Sequence, residues 1–364
     1  VSCESQRAAG TDLLQELLQT YGPGGQEDAV RNVCRRELEP FVDQLWTDPA
    51  RNLVALIRGA DGDDGSARAT RVMAHLDELS MMVKRIESDG SLRLVPLGTM
   101  YPGNFGLGPV AILGDKETLV GVLALGSEHT TKESHRIWET KPDQGDKALD
   151  WSHVYVFTGR TPDQLAAAGV GPGTRVCIDQ SKRRLVDVGT DYIGSYFIDD
   201  RASVTALLQV ARRLRETDQR PRSDTYLVFT TNEESGGVGG SYASRTLPGD
   251  LTLALEVGPT EAEYGTTVGG GPIVAYGDAL CVYDKDVADR LMEIARSQGL
   301  SPQAASLGAF ESDASHAKAN GLSPRAALLC LPTLSTHGYE VIDRNAISCM
   351  VDVVVAYLVD PDAH

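Results

Sequence analysis

The sequence predicts an α/β protein, because strand-like and helix-like segments alternate along its second half while a run of short β segments interrupts the first. Such alternation places helices on both faces of a sheet whose neighbours include parallel strands. The interruption, from residue 86 to 186, reads as a small all-β unit inserted into the larger one, so that 1–85 and 187–364 together form the α/β domain. At 364 residues the chain has room for that division.

Taken in order, Leu13, Leu14, Leu17 and Leu18 make an apolar helical stripe over 11–19, with Thr11 or Asp12 available as its cap. Gly22-Pro-Gly-Gly25 turns the chain into a second helical segment, 29–38. Residues 41–56 are extended around the polar turn Asp48-Pro-Ala-Arg-Asn52, and Arg71-Val-Met-Ala74 is a short buried strand that ends on His75. The inserted unit shows strand-like runs at 92–97, 109–113, 119–125, 154–157 and 175–178, one helix near 162–168, and a long polar loop over 126–150. Beyond it come helix 202–216, strand 225–230, a helix near Ser241 and strand 251–257. Strand 273–276, helix 285–298, strand 326–331 and helix 344–358 complete the pattern.

The 34 Lys and Arg against 51 Asp and Glu leave a formal charge of −17, which opposes binding to phosphate backbones and to anionic lipid. No nucleic acid and no membrane partner is therefore expected. No apolar run approaches the roughly 20 residues of a spanning helix, and Val1-Ser-Cys-Glu-Ser-Gln6 shows no secretory leader. The six cysteines are scattered without CxxC spacing and are read as reduced, buried thiols rather than disulfides, which points to a cytoplasmic location.

Five places put a His or a carboxylate at the end of, or inside, an apolar run. His75 leaves its strand with Asp77 two residues on, able to fix the imidazole tautomer. Asp199 and Asp200 follow Tyr196-Phe-Ile and precede a helix, where capping is the alternative reading. Glu233 and Glu234 follow a buried strand; neighbouring side chains point different ways, which suits one to a metal and the other to a proton, with a solvated turn as the alternative. Glu256 interrupts an otherwise unbroken apolar strand, although carboxylates are rarely buried unless paired or metal-bound. His337 follows a buried strand just before Gly338.

Singly, most of these have plain structural readings. Together they run His, Asp, Glu-Glu, Glu, His at the strand ends of one sheet, where open α/β sheets bind ligands. Two imidazoles with three or four carboxylates are the ligand inventory of a paired divalent-metal hydrolytic site. An oxygen-rich set of this kind suits Zn, Mn or Co. Gly269-Gly-Gly271-Pro272 lacks the Lys-Ser/Thr of a phosphate loop, and a serine nucleophile is excluded because no GxSxG elbow occurs.

With Tyr21-Gly-Pro-Gly-Gly-Gln-Glu-Asp-Ala-Val-Arg31, Asp48-Pro-Ala-Arg-Asn-Leu-Val-Ala55 and Thr161-Pro-Asp-Gln-Leu-Ala-Ala-Ala-Gly-Val170, this order resembles the dinuclear metallo-aminopeptidases, the family of glutamyl, deblocking and tetrahedral self-compartmentalising aminopeptidases. The resemblance covers nearly the whole chain. It implies a zinc-peptidase-like fold, a mixed central sheet with helices on both faces, and makes the insert a β-barrel dimerisation domain through which the chain forms homo-oligomers. It also implies two divalent ions, zinc foremost. His75 and Glu256 would hold the first, Glu234 and His337 the second, and Asp199 would bridge them, while Asp77 orients His75 and Glu233 is the general base. The implied activity is removal of N-terminal residues from short peptides, the partner being a peptide or small amide substrate.

By the same resemblance His129 lies in a loop that reaches into an active site, and Asp313 and His316 lie near the substrate pocket. The family usually has Asp where this chain has Glu256. In a distant branch of dinuclear peptidases that exchange accompanies carboxypeptidase or deacylase action, so hydrolysis of N-capped or small amide substrates is the second reading. A catalytically silent binding or scaffold homologue is the third, and the intact set of seven residues opposes it.

Overall fold

The computed structural model describes residues 3–60, 69–143 and 145–362, with the backbone alone for 3–9. It divides into two compact units: Val1–Glu78, Leu185–Thr336 and Glu340–His364 form one, and Leu79–Arg184 with His337–Tyr339 the other. In chain order, the first unit opens with α1 (Cys3–Gln19), α2 (Asp28–Leu38), β1 (Gln44–Thr47), β2 (Leu53–Ile57) and β3 (Thr70–His75). Leu14, Leu17 and Leu18 of α1 are fully buried, as their helical spacing requires.

The second unit contributes β4 (Ser80–Ile86), β5 (Leu92–Leu97), α3 (Pro102–Phe105), β6 (Gly108–Leu113) and β7 (Thr118–Ala124). After these come α4 (His135–Trp138), β8 (Tyr155–Phe157), α5 (Pro162–Ala167) and β9 (Arg175–Ile178). The six strands close into a barrel in the order β4-β5-β8-β7-β6-β9. Along β7 burial alternates, with Leu119, Gly121 and Leu123 inward and Thr118, Val120 and Val122 outward. Helix α5 starts on a capping box between Thr161 and Gln164 with Pro162 in its first turn.

The sequence puts the start of the insert at residue 86, but the barrel unit begins at Leu79 and β4 is one of its staves. The partners of β4 are β5 and β9, and its pairing with β5 shifts register between Val83 and Arg85, so Ser80–Ile86 carries no strict alternation. The polar stretch 126–150, expected as loop, carries the single turn α4.

The first unit resumes with β10 (Val186–Val188), β11 (Tyr192–Tyr196), α6 (Ile198–Glu216), β12 (Thr225–Thr230), α7 (Val238–Thr246), β13 (Leu251–Pro259) and β14 (Ile273–Asp278). It ends with α8 (Lys285–Ser297), β15 (Gln303–Leu307), α9 (Asp313–Ala319), β16 (Arg325–Leu334), β17 (Tyr339–Asp343) and α10 (Ala346–Val359). The sheet runs β1-β2-β12-β3-β13-β16-β17-β11-β10, with β14 beside β16 and β15 beside β14. Strands β12, β3, β13 and β16 are parallel neighbours, whereas β1, β2 and β17 join antiparallel, so the sheet is mixed.

The parallel centre is buried on both faces, which is why those strands read as continuous apolar runs. One face sets Val54, Met73 and Val228 against Ala243 of α7, and Ala254 and Leu328 against Ala314 of α9. On the other, α6 packs on β3 and β13 and α10 on β16. Burial of one such Val, Leu or Met contributes about 1.5–3 kcal/mol. Among the described residues Cys34, Cys177 and Cys330, buried, and Cys281 and Cys349, half-buried, stand outside any disulfide. The Cys3 side chain and Val1 and Ser2 lie outside the described residues. Among the described residues no helix is long and apolar enough to cross a membrane.

Candidate metal centre

Strand β3 delivers His75 at its carboxyl end, in register with Thr230 of β12. The pairing of Leu251–Ala254 with Thr70–Met73, continued by two residues, brings Glu256 alongside from the other neighbour. The imidazole is buried, with Nε2 3.0 Å from Asp199 Oδ1 and 3.7 Å from Glu256 Oε2. Its Nδ1 donates to the main-chain carbonyl of Asp77 at 3.0 Å, which leaves Nε2 as the nitrogen presented to a ligand. The His75 main-chain N–H donates to Asp200 Oδ2 at 3.0 Å.

Asp199 and Asp200 stand in the opening turn of α6 with non-helical backbone angles, after Phe197 at φ 64, and the peptide between them is cis. They do not act as the helix cap: Asp199 faces His75, and Asp200 holds the main chain of His75. The Asp199 N–H donates in turn to the buried carboxylate of Glu340 at 2.9 Å.

Beyond β12 the chain bends through Asn232 at φ 51 and through Gly236 and Gly237 at φ 104 and 61, conformations glycine adopts without strain. The Asp77 carboxylate accepts the N–H groups of Glu233 at 2.9 Å and Glu234 at 3.2 Å. Asp77 therefore reaches the imidazole by its main-chain carbonyl and the Glu233–Glu234 turn by its side chain, whose nearer oxygen stands 3.6 Å from Nδ1. Glu27, buried, accepts from the N–H of Gly25 at 2.8 Å and of Asn232 at 3.3 Å. Beneath them the buried Arg201 pairs with Glu78 at 2.6 Å and donates to the carbonyls of Leu76 and Leu17.

Burial pushes the carboxyls of Glu233, Glu256 and Asp200 well above the usual carboxylate range, and neighbouring acids add to the effect. Burial also raises Asp313, to about 6. For His75 burial acts the other way, and the carboxylates of Glu256, Asp199, Asp77 and Asp200 outweigh it, holding the imidazole well above its ordinary value. The site is thus a buried excess of negative charge around one imidazole. His75, Asp199 and Glu256 each offer a ligand atom within 4.8 Å of the others, and Asp199 and Glu234 offer oxygens within the same distance. That arrangement can hold a divalent cation and leaves Glu233 as a half-buried carboxylate for proton transfer.

His337 lies in the turn between β16 and β17 at φ 58, among the three residues grouped with the barrel unit. Within that unit its Nδ1 lies 3.1 Å from the Thr99 carbonyl, and its own carbonyl accepts from Asn104 Nδ2 at 3.3 Å. His129 is exposed on the barrel loop, its N–H donating to Ser127 Oγ at 3.1 Å. Asp313 accepts from the Thr230 hydroxyl, and His316 Nε2 lies 3.0 Å from Glu311 Oε2. Glu340 and Glu27 are site residues that sequence reasoning leaves out, and Asp200 is read there only beside Asp199, with no role of its own. Asp200 beside Asp199, and Glu340 three residues after His337, were signals enough to raise them.

The family model for M42 glutamyl aminopeptidases matches residues 52–353. The lysyl aminopeptidase of Pyrococcus furiosus is 26% identical over 248 residues, 68% of this chain and 66% of that protein. Among solved structures, the aminopeptidase APDkam598 of Desulfurococcus kamchatkensis has a TM-score of 0.85 at 23% identity, over 97% of this chain and 95% of its own. The Pyrococcus horikoshii TET1 peptidase, described as able to assemble into a tetrahedron or a large octahedral shell, has a TM-score of 0.82 at 21% identity, over 96% of this chain and 99% of its own. At these identities the two structures speak for the fold.

Proposed function

We propose, from the premise that this chain belongs to the M42 glutamyl aminopeptidase family and is a metallopeptidase, that it removes N-terminal residues from short peptides at a pair of divalent ions. The observation that carries the reading is the buried convergence of His75, Asp199 and Glu256, with Glu233 held close by on Asp77. One imidazole nitrogen and two carboxylate oxygens suit a borderline dication, and the reach of Asp199 to Glu234 extends the donor set toward a second. Carboxyls that burial drives toward protonation are what such ions would neutralise.

The residues therefore fit a metal pair: His75 and Glu256 for the first ion, Glu234 and His337 for the second, Asp199 shared. Zinc suits this set, and Mn or Co share its preferences. When bound, the ions supply Lewis acidity that polarises a scissile carbonyl and makes water more acidic. Glu233 takes a proton from the attacking water onto its carboxylate and returns it to the leaving nitrogen as the C–N bond breaks. Asp77 holds Glu233 in place through its main chain, while Asp200 and Glu340 hold the main chains of His75 and Asp199, so the donors are positioned before substrate arrives.

The barrel, on this reading, joins copies of the chain. Its strands β7 and β8 turn Val120, Val122 and Phe157 outward at 60%, 42% and 58% exposure, and Val122 and Phe157 are register partners. A contiguous apolar patch of this kind marks a contact surface, and the TET1 likeness supports a second copy as its partner.

The test is hydrolysis of amino-acid amides and free-amine dipeptides against N-capped dipeptides, after reconstitution with Zn, Mn or Co. Cleavage of the free-amine set is expected. Exclusive cleavage of the capped set would instead support the deacylase or carboxypeptidase reading that Glu256 raises.

A further inference from the structure

Resting on that reading, we propose that the first turn of α9 clamps the Glu233–Glu234 turn and that Asp313 is its positioning residue. The segment between β12 and α7 takes left-handed backbone angles at Asn232, Gly236 and Gly237, so regular secondary structure does not hold it. Asp77 grips the two glutamates at their N–H groups. Helix α9 grips the flanks.

Asp313 accepts a hydrogen bond from the hydroxyl of Thr230, the last residue of β12. Gly240, in the first turn of α7, approaches so closely that a Cβ there would stand 2.4 Å from Asp313 Cγ. Between those points, a Cβ on Gly237 would stand 2.5 Å from His316 Cγ. Residues 313 and 316 are one helical turn apart and share a face, so positions 230, 237 and 240 of one segment rest on a single helical edge. That edge is itself fixed: Ser312 and Ser315 form a capping box, and His316 is paired with Glu311 at 3.0 Å.

Asp313 is 1% exposed, and its Oδ1 has no hydrogen-bond partner among the described residues. A carboxylate buried with one oxygen unmatched weakens a fold. A residue that breaks a local rule of stability points to a role in the adjoining site. Asp313 and His316 then act through Glu233 and Glu234, by way of the segment that carries them, instead of on the substrate.

Hydrogen–deuterium exchange over 231–240, with steady-state kinetics of the zinc-loaded enzyme, tests this on Asp313→Ala, Asp313→Asn, Thr230→Val and Thr230→Ser. Asp313→Ala and Thr230→Val are expected to speed exchange in 231–240 about tenfold, with β3 and β13 unchanged. They should lower kcat by about 10–100-fold while KM stays within about twofold. Asp313→Asn and Thr230→Ser keep the acceptor and the hydroxyl and should return kcat to within about threefold of the parent. Unchanged exchange in Asp313→Ala, or an Asp313→Asn as impaired as Asp313→Ala, overturns the clamp. Should Asp313→Ala fail to fold, the Thr230 pair decides alone. The exchange arm needs no turnover, so a parent enzyme that cleaved none of the peptides would sink the aminopeptidase reading and leave the clamp to be judged by exchange.

Discussion

Asp77 Oδ1 accepts the main-chain N–H of Glu233 at 2.9 Å, and Oδ2 of the same carboxylate takes the N–H of Glu234 at 3.2 Å. The residue two beyond His75 thus locates both glutamates, one proposed as base and one as ligand. The carboxyl ends of β3 and β12 are tied together by a side chain as well as by the sheet ladder.

Glu233→Gln removes a proton carrier and keeps the size of the side chain and both Asp77 bonds. Turnover is expected to fall by about 10²–10⁴-fold with the metal content unchanged, read as kcat beside elemental analysis of the purified protein. Near-normal kcat in this variant would mean that the proton travels by another group.

Removal of the ions should weaken the folded state, because the buried carboxylates around His75 lose their counter-charge. At a free-ion concentration about 100-fold above Kd, one bound ion contributes about 2.7 kcal/mol. Denaturant unfolding with and without chelator measures the difference, and His75→Ala should lose most of it. Identical transitions in both conditions would contradict a metal held here.

Arg201→Met leaves Glu78 buried without its cation and takes donors from the carbonyls of Leu76 and Leu17. A loss of about 3–5 kcal/mol is expected. The double variant Arg201→Met/Glu78→Gln should recover part of that loss, since an uncharged amide tolerates burial better than a lone carboxylate. Unfolding midpoints of the two variants and the parent decide it.

Val122→Asp with Phe157→Asp places charges on the outward face of the barrel and leaves the inward residues of β7 untouched. The particle mass by light scattering is expected to drop, with the unfolding transition close to that of the parent. A mass equal to the parent's would remove this face from the assembly.

Much of the site was legible because the parallel strands that carry it are buried on both faces, so an acid or histidine stands out where the apolar run stops. His75, Glu233 and Glu256 are found this way. Asp200 and Glu340 stand near Asp199 and His337 in the sequence, but their task, accepting main-chain N–H groups, has no spacing of its own to read. The Arg201–Glu78 pair spans 123 residues and was equally hidden. Strand β10 is exposed at all three residues and β4 breaks its register between Val83 and Arg85, so neither carries the alternation that reveals a strand with one wet face.

His75 and Asp199 meet at 3.0 Å although 124 positions separate them, and the segment Leu79–Arg184 lies wholly within that interval. Chains leave the ribosome from the N-terminus and domains fold as units. A growing polypeptide must therefore emit the entire barrel before His75 can reach Asp199, and must pass Glu256 before that group of three is complete. Synthesis itself withholds the proposed metal centre until the sheet that shields it is largely made, and a truncated product ending short of Glu256 is expected to be inert.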